Sequence, residues 1–163
     1  MKKLVIFFSV AVLSLFTTQA QEFKGGVSAA IPTGDASSAW SFGVTADLVY
    51  LFDVGEGFKV GPTIGYKHYF GKDVSFAGFS SKVDDAQFLP VGGSARFGFA
   101  EGFSAGADLG YALGITDGID GGFMYKPFVI YDFGPISAVV SYSGISLDGG
   151  SFSSFNFGVE VGF

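Results

Sequence analysis

One residue in this chain is suited to acid–base work near neutral pH, the single histidine His68. A histidine acting on a lipid ester works beside a serine and a carboxylate. Here Tyr69, Phe70 and Gly71 follow, so no serine stands two residues on. His68 falls on the apolar side of its segment between Tyr66 and Phe70, which suits anchoring at an interface. Asp35, Asp73, Asp84, Asp85, Asp117, Asp120 and Asp148 are the other isolated donors. A calcium site needs roughly 6–8 converging oxygens, and the run from Asp117 to Asp120 lacks the alternating ligand spacing. There is no cysteine for zinc or for a disulfide, and no phosphate-cradling motif. No catalytic, cofactor-binding or metal-binding residue is therefore assigned.

A second set of charged residues is more informative, because each member occupies the polar phase of an alternating segment. These are Lys24, Asp47, Lys59, Lys67, Arg96, Asp108, Lys126, Asp132 and Glu160. Five positive and four negative groups nearly cancel. On one face of a sheet, diagonal neighbours lie within reach of a long side chain, which points to Arg96 beside Asp108 and Glu160 beside Lys24. An enclosed charge without a partner is costly, so the set reads as an internal salt-bridge network.

The elements that must position these charges are strands with a period of two. Alternation marks eight of them, at about 23–31, 40–52, 58–70, 87–99, 103–114, 123–133, 136–143 and 155–163. The last is the clearest: Phe155, Phe157, Val159, Val161 and Phe163 alternate with Asn156, Gly158, Glu160 and Gly162. Short turns near 53–57, 100–102 and 134–135 alternate with longer loops near 32–39, 71–85, 115–122 and 144–151. Even strand number with alternating short and long connections predicts an all-β, eight-stranded antiparallel up-and-down transmembrane β-barrel.

Aromatic placement agrees with this. Phe23, Phe52, Phe58, Phe99, Phe103, Phe133 and Phe163 fall at the turn ends. Trp40, Phe42, Tyr66, Phe70, Tyr111, Phe123, Tyr125, Tyr142 and Phe155 fall near the loop ends. Two such girdles mark the two boundaries of a membrane. A soluble lipocalin-like barrel would need its large apolar residues inside and the pattern inverted.

At the N-terminus, Lys2 and Lys3 precede a short apolar run and the small-residue exit Thr18-Gln19-Ala20. This is the order of a secretory signal peptide, so residues 1–20 are expected to be removed and 21–163 to form the barrel. Gly and Phe are abundant, at 26 and 21 residues, yet no later window holds the roughly 20 apolar residues of a membrane helix. Without Lys2 and Lys3 there are seven basic and fifteen acidic residues, a net of −8, which argues against nucleic acid.

The signal peptide, eight strands, girdles and terminal Phe163 resemble the small outer-membrane β-barrels of Gram-negative bacteria, the OmpA/OmpX-like and porin-family barrels. The segments 126–133 and 142–145 look like the Bacteroidetes branch. The resemblance implies that Phe155, Phe157, Val159, Val161 and Phe163 form the signal read by the barrel-assembly machinery. It also implies outer-membrane lipid and lipopolysaccharide as surroundings, a monomer, and both termini in the periplasm. An extracellular partner is expected at loops 71–85 and 115–122. The preferred reading is a structural or surface-interacting barrel with a salt-bridged, non-conducting lumen. A narrow porin-like channel for small solutes or ions is the alternative, and a lipid-modifying rim enzyme stands behind both.

Overall fold

The computed structural model describes residues 21–76 and 79–163; residues 1–20, where the signal peptide is expected, lie outside them. The alternating segments pair as a closed, wholly antiparallel ring of eight strands. In chain order these are β1 (Gln21–Thr33), β2 (Trp40–Gly55), β3 (Phe58–Gly71), β6 (Ala86–Ala100), β7 (Phe103–Gly114), β8 (Gly122–Asp132), β9 (Ile136–Leu147) and β10 (Gly150–Gly162). A one-turn helix, α1 (Ala36–Ala39), follows β1. A small separate hairpin of β4 (Asp73–Phe76) and β5 (Phe79–Lys82) stands in the loop between β3 and β6.

Closure is made by β1 against β10, in register from Lys24↔Gly162 to Thr33↔Ser153. The Phe163 amide adds a hydrogen bond to the Phe23 carbonyl at 2.9 Å. No barrel strand keeps a free edge, the condition for placing a sheet in an apolar solvent. The phase of every strand then decides its two faces. Val27, Leu48, Ile64, Leu109, Val129, Val140 and Val159 are exposed on the outside, while Val49, Leu51, Phe128 and Ile130 are buried inside. The turn-end rings Phe23, Phe58, Phe99, Phe103, Phe133 and Phe163 are all exposed.

Two sequence expectations need correction. The segment 144–151 is not a long loop, because β9 and β10 run on through it and meet across Asp148 and Gly149. Gly149 supplies the left-handed turn position at φ 93°. Gly144, read as a loop residue, is a strand position covered by the Tyr125 ring, which lies where a Cβ would project. The fourth connection is therefore short, and short and long connections do not alternate throughout. Trp40 does not join the outer girdle. A register irregularity between Trp40 and Phe42 turns its ring inward, 5.0 Å from that of Phe152. The long connection expected at 71–85 is present and carries the β4–β5 hairpin.

Candidate functional site

The chemistry of this fold is concentrated in the lumen, which divides into a charged lower part and an apolar upper part. In the lower part Arg96 on β6 meets Glu160 on β10 through two parallel bonds, Nη1 to Oε1 at 2.7 Å and Nη2 to Oε2 at 2.9 Å. The planar guanidinium suits such a bidentate grip. Its carbon also lies 5.2 Å from the Phe128 ring centroid. That ring has room only because Gly106 faces it, with the Phe128 Cζ 2.7 Å from where a Cβ would stand. Lys24 approaches Glu160 at 3.7 Å and Glu22 at 3.7 Å, and Lys59 also pairs with Glu22.

A second group lies deeper. Lys126 contacts Asp108 at 2.8 Å and Asp47 at 3.1 Å. Asp108 stands directly opposite Lys126 in the β7–β8 register. The Lys67 ammonium is buried in the same region and has no hydrogen-bond partner among the described residues. Asp132 stays at the turn end, where it accepts a hydrogen bond from Ser137.

Of the nine expected charges the structure brings seven into contact with an opposite charge, Lys24, Asp47, Lys59, Arg96, Asp108, Lys126 and Glu160, and leaves Lys67 and Asp132 outside these pairs. The sheet-face reading puts Arg96 beside Asp108, but Arg96 binds Glu160, four strands away around the ring. Lys126 and Asp47 are likewise four strands apart. In a ring of eight these are opposite walls, so both pairs are struts across the full diameter. Glu22 lies just before the alternating segment that begins at Phe23, and the strand itself begins at Gln21. Continuing the alternation by one residue puts Glu22 on the face of Lys24.

Above the charges lies a plug that a search for charged groups passes over. Tyr69, Phe88, Met124, Ile145 and Phe152 fill the lumen and are buried, with Trp40 packed against them. The ring centroids of Tyr69 and Phe152 are 4.5 Å apart, and those of Phe88 and Phe152 5.3 Å. The Tyr69 hydroxyl meets Ser154 Oγ at 2.9 Å; Ser154 and Ser141 in turn hold Asn156. This polar tier satisfies the lower edge of the plug.

His68 lies outside the lumen, at the rim. Its Nε2 meets Asp85 Oδ2 at 3.1 Å and its Nδ1 meets the Tyr66 hydroxyl at 3.1 Å, so both ring nitrogens are engaged. Asp85 Oδ1 accepts from the Gly71 amide at 3.0 Å, and the Asp85 carbonyl accepts from the Thr116 hydroxyl at 2.8 Å. The result is a latch that fastens the end of the β4–β5 loop to the barrel wall. Among the described residues no group of three or more His, Cys, Asp or Glu could hold a metal ion.

An apolar outer belt around a charge-paired interior makes this a transmembrane β-barrel by class. No family model matches the sequence, and no curated protein matches it significantly. Solved structures do share the fold. The Yersinia pestis outer membrane protein Ail, in a phospholipid bilayer nanodisc, is 15% identical with TM-score 0.61, over 88% of this chain and 100% of that one. A de novo designed transmembrane β-barrel is 12% identical with TM-score 0.56, over 87% and 95%. Neisserial surface protein A is 17% identical with TM-score 0.51, over 88% and 97%.

Two outcomes follow from these contacts. Glu160→Leu strands the buried Arg96 charge and should cost about 3–5 kcal/mol, most of it recovered in the double variant Arg96→Met/Glu160→Leu. Urea unfolding in lipid measures both; equal losses in the single and double variants would contradict the strut. At the latch, the Gly71 amide, then His68 and Lys82, hold the Asp85 carboxyl below the usual carboxylate range. A depressed folded value means the latch is at full strength above the ordinary carboxylate pKa of about 4 and is lost as pH falls through the lowered value. The Gly71 amide should lose protection from hydrogen exchange over that acidic window, and Asp85→Asn should abolish the pH dependence. A Gly71 amide insensitive to pH in the parent protein would count against the latch.

Proposed function

We propose that this chain is a monomeric outer-membrane barrel of a Gram-negative bacterium whose lumen is sealed and whose work is structural or surface-presenting. The plug carries this reading: Tyr69, Phe88 and Phe152 close the lumen at its loop end, and their side chains are essentially inaccessible. An eight-stranded barrel has only enough interior for side chains, so few rings suffice to close it. Lys24, Lys59, Arg96 and Lys126 each meet a carboxylate, and the inward charges of the described residues present no single-sign ring of the kind that selects ions.

Export by the expected signal peptide would leave both ends of the barrel on the periplasmic side, with outer-membrane lipid and lipopolysaccharide around the belt. Phe155, Phe157, Val159, Val161 and Phe163 are then the strand offered to the barrel-assembly machinery. The four loop-end connections would face outward, and the hairpin 73–82 and the loop 115–121 are the surfaces offered to a partner. Ail, the attachment invasion locus protein of Yersinia pestis, has been solved with the heparin analogue sucrose octasulfate. In this chain the loop ends carry Lys72 and Lys82 against seven aspartates, a balance that repels a polyanion and favours a cationic partner. His68 serves as an interfacial anchor and loop latch, so an enzymatic role is not assigned.

The channel alternative draws on the inward glycines and on the open turn-side mouth. Planar-bilayer recording separates the two readings. The purified barrel should be silent, while Tyr69→Ala/Phe88→Ala/Phe152→Ala should give single-channel steps. Regular steps from the unaltered protein would overturn the sealed reading.

A further inference from the structure

We propose that the lumen is a blind vestibule, filled with water from the turn end and closed by a hydrated site between Arg96 and Asp108. The inference rests on the sealed reading above, since a vestibule is blind only if the plug holds.

From the mouth inward, Glu22 and Lys59 are 35% and 32% exposed, Lys24 18%, Arg96 9% and Asp108 4%, while Asp47 on the inner cavity keeps 24%. The mouth is an open recess of about 460 Å³ lined by Glu22, Lys24, Lys59 and Asp132. Beyond Lys24 lies a cavity of about 30 Å³, whose lining includes Arg96, Asp108, Lys126 and Glu160. The plug residues Tyr69, Phe88, Met124, Ile145 and Phe152, which do not line this cavity, are buried.

Two atoms on the inner cavity have complementary needs. Arg96 Nε is a donor and Asp108 Oδ1 an acceptor; both are buried, and neither has a partner among the described residues. A buried polar atom without a partner is uncommon, and water is the usual remedy where a site is polar and roomy enough. At roughly 10–15 Å³ of such space per molecule, the cavity holds about two waters. One water accepts from Arg96 Nε and donates to Asp108 Oδ1. A small anion would meet Asp108 and Glu160, and a small cation Arg96 and Lys126, so a neutral occupant fits best.

This water has a structural consequence. The direct contacts leave two separate groups, Lys59–Glu22–Lys24–Glu160–Arg96 and Asp47–Lys126–Asp108. The bridging water joins them into one network reached by water and protons from the turn side alone.

The test uses the full chain in lipid vesicles, with its orientation fixed by proteolysis of the loops. Because the chain has no cysteine, Lys59→Cys at the mouth and Ser143→Cys at the polar tier each give one reactive thiol. A membrane-impermeant charged methanethiosulfonate should label Lys59→Cys from the turn side only and should leave Ser143→Cys unlabelled from either side. In the unaltered protein, NMR should show magnetisation transfer from water to the Arg96 Nε proton. Labelling of Ser143→Cys, or of Lys59→Cys from the loop side, would overturn the seal and the vestibule together. An unlabelled Ser143→Cys with no water transfer at Arg96 would overturn the vestibule and leave the seal standing. Should either variant fail to fold, the transfer measurement decides the hydrated site without it.

Discussion

The interior of an eight-stranded barrel is only as wide as the side chains that fill it, and that width governs the rest of this structure. Two long side chains from opposite walls can meet in the middle. Arg96–Glu160 and Lys126–Asp47 do so, each pair joining strands halfway round the ring. Neither strut can form unless the ring closes with its native tilt and stagger, so each reports on closure of the whole barrel. A narrow interior also explains the inward glycines. Gly106 leaves space for the Phe128 ring that lies beneath Arg96, and Gly43 leaves space for Tyr69. Large side chains on every inward position would not fit.

The same constraint divides the lumen by chemistry. Charges are tolerable where water can reach them or where they pair, and all of those in the lower part but Lys67 meet one ground or the other. The upper part holds rings and methyl groups from β2, β3, β6, β8, β9 and β10, closed below by the Ser141–Asn156–Ser154–Tyr69 tier. The barrel therefore has two cores of different character. Its outside carries the large apolar surface that a soluble protein would bury, and its aromatic residues lie at the two ends of that surface.

Much of this was legible in the chain because the period of two leaves little freedom. Once Phe155 to Phe163 are phased, every outward and inward residue of that strand follows, and the same holds for six of the other seven strands. What escaped has physical causes. Trp40 lies beyond a register irregularity, which flips the phase without any marker in residue type. Gly144 and its polar neighbours look like a loop because residue type does not reveal that the Tyr125 ring covers the glycine. The Arg96–Glu160 pair was out of reach for a deeper reason. Alternation and hairpin register describe neighbouring strands only, whereas a contact across the diameter depends on the tilt and stagger of the closed ring. Lys126 and Asp108 are neighbours in register, and a firmer boundary for β8 would have paired them. Of the plug, Tyr69, Phe88 and Met124 stand in the inward phase of their segments, whereas Ile145 and Phe152 fall outside the alternating segments because their strands run on past the polar and glycine residues at 143–154.

The central claim is that the alternating apolar residues face lipid while their neighbours face a closed interior. The most direct measurement is NMR of the barrel in bilayers carrying a nitroxide on the lipid chain. Methyl groups of Val27, Leu48, Val129 and Val159 should broaden strongly, while those of Val49, Leu51 and Ile130 should remain sharp. Equal broadening of the two sets, or the reverse order, would contradict the account.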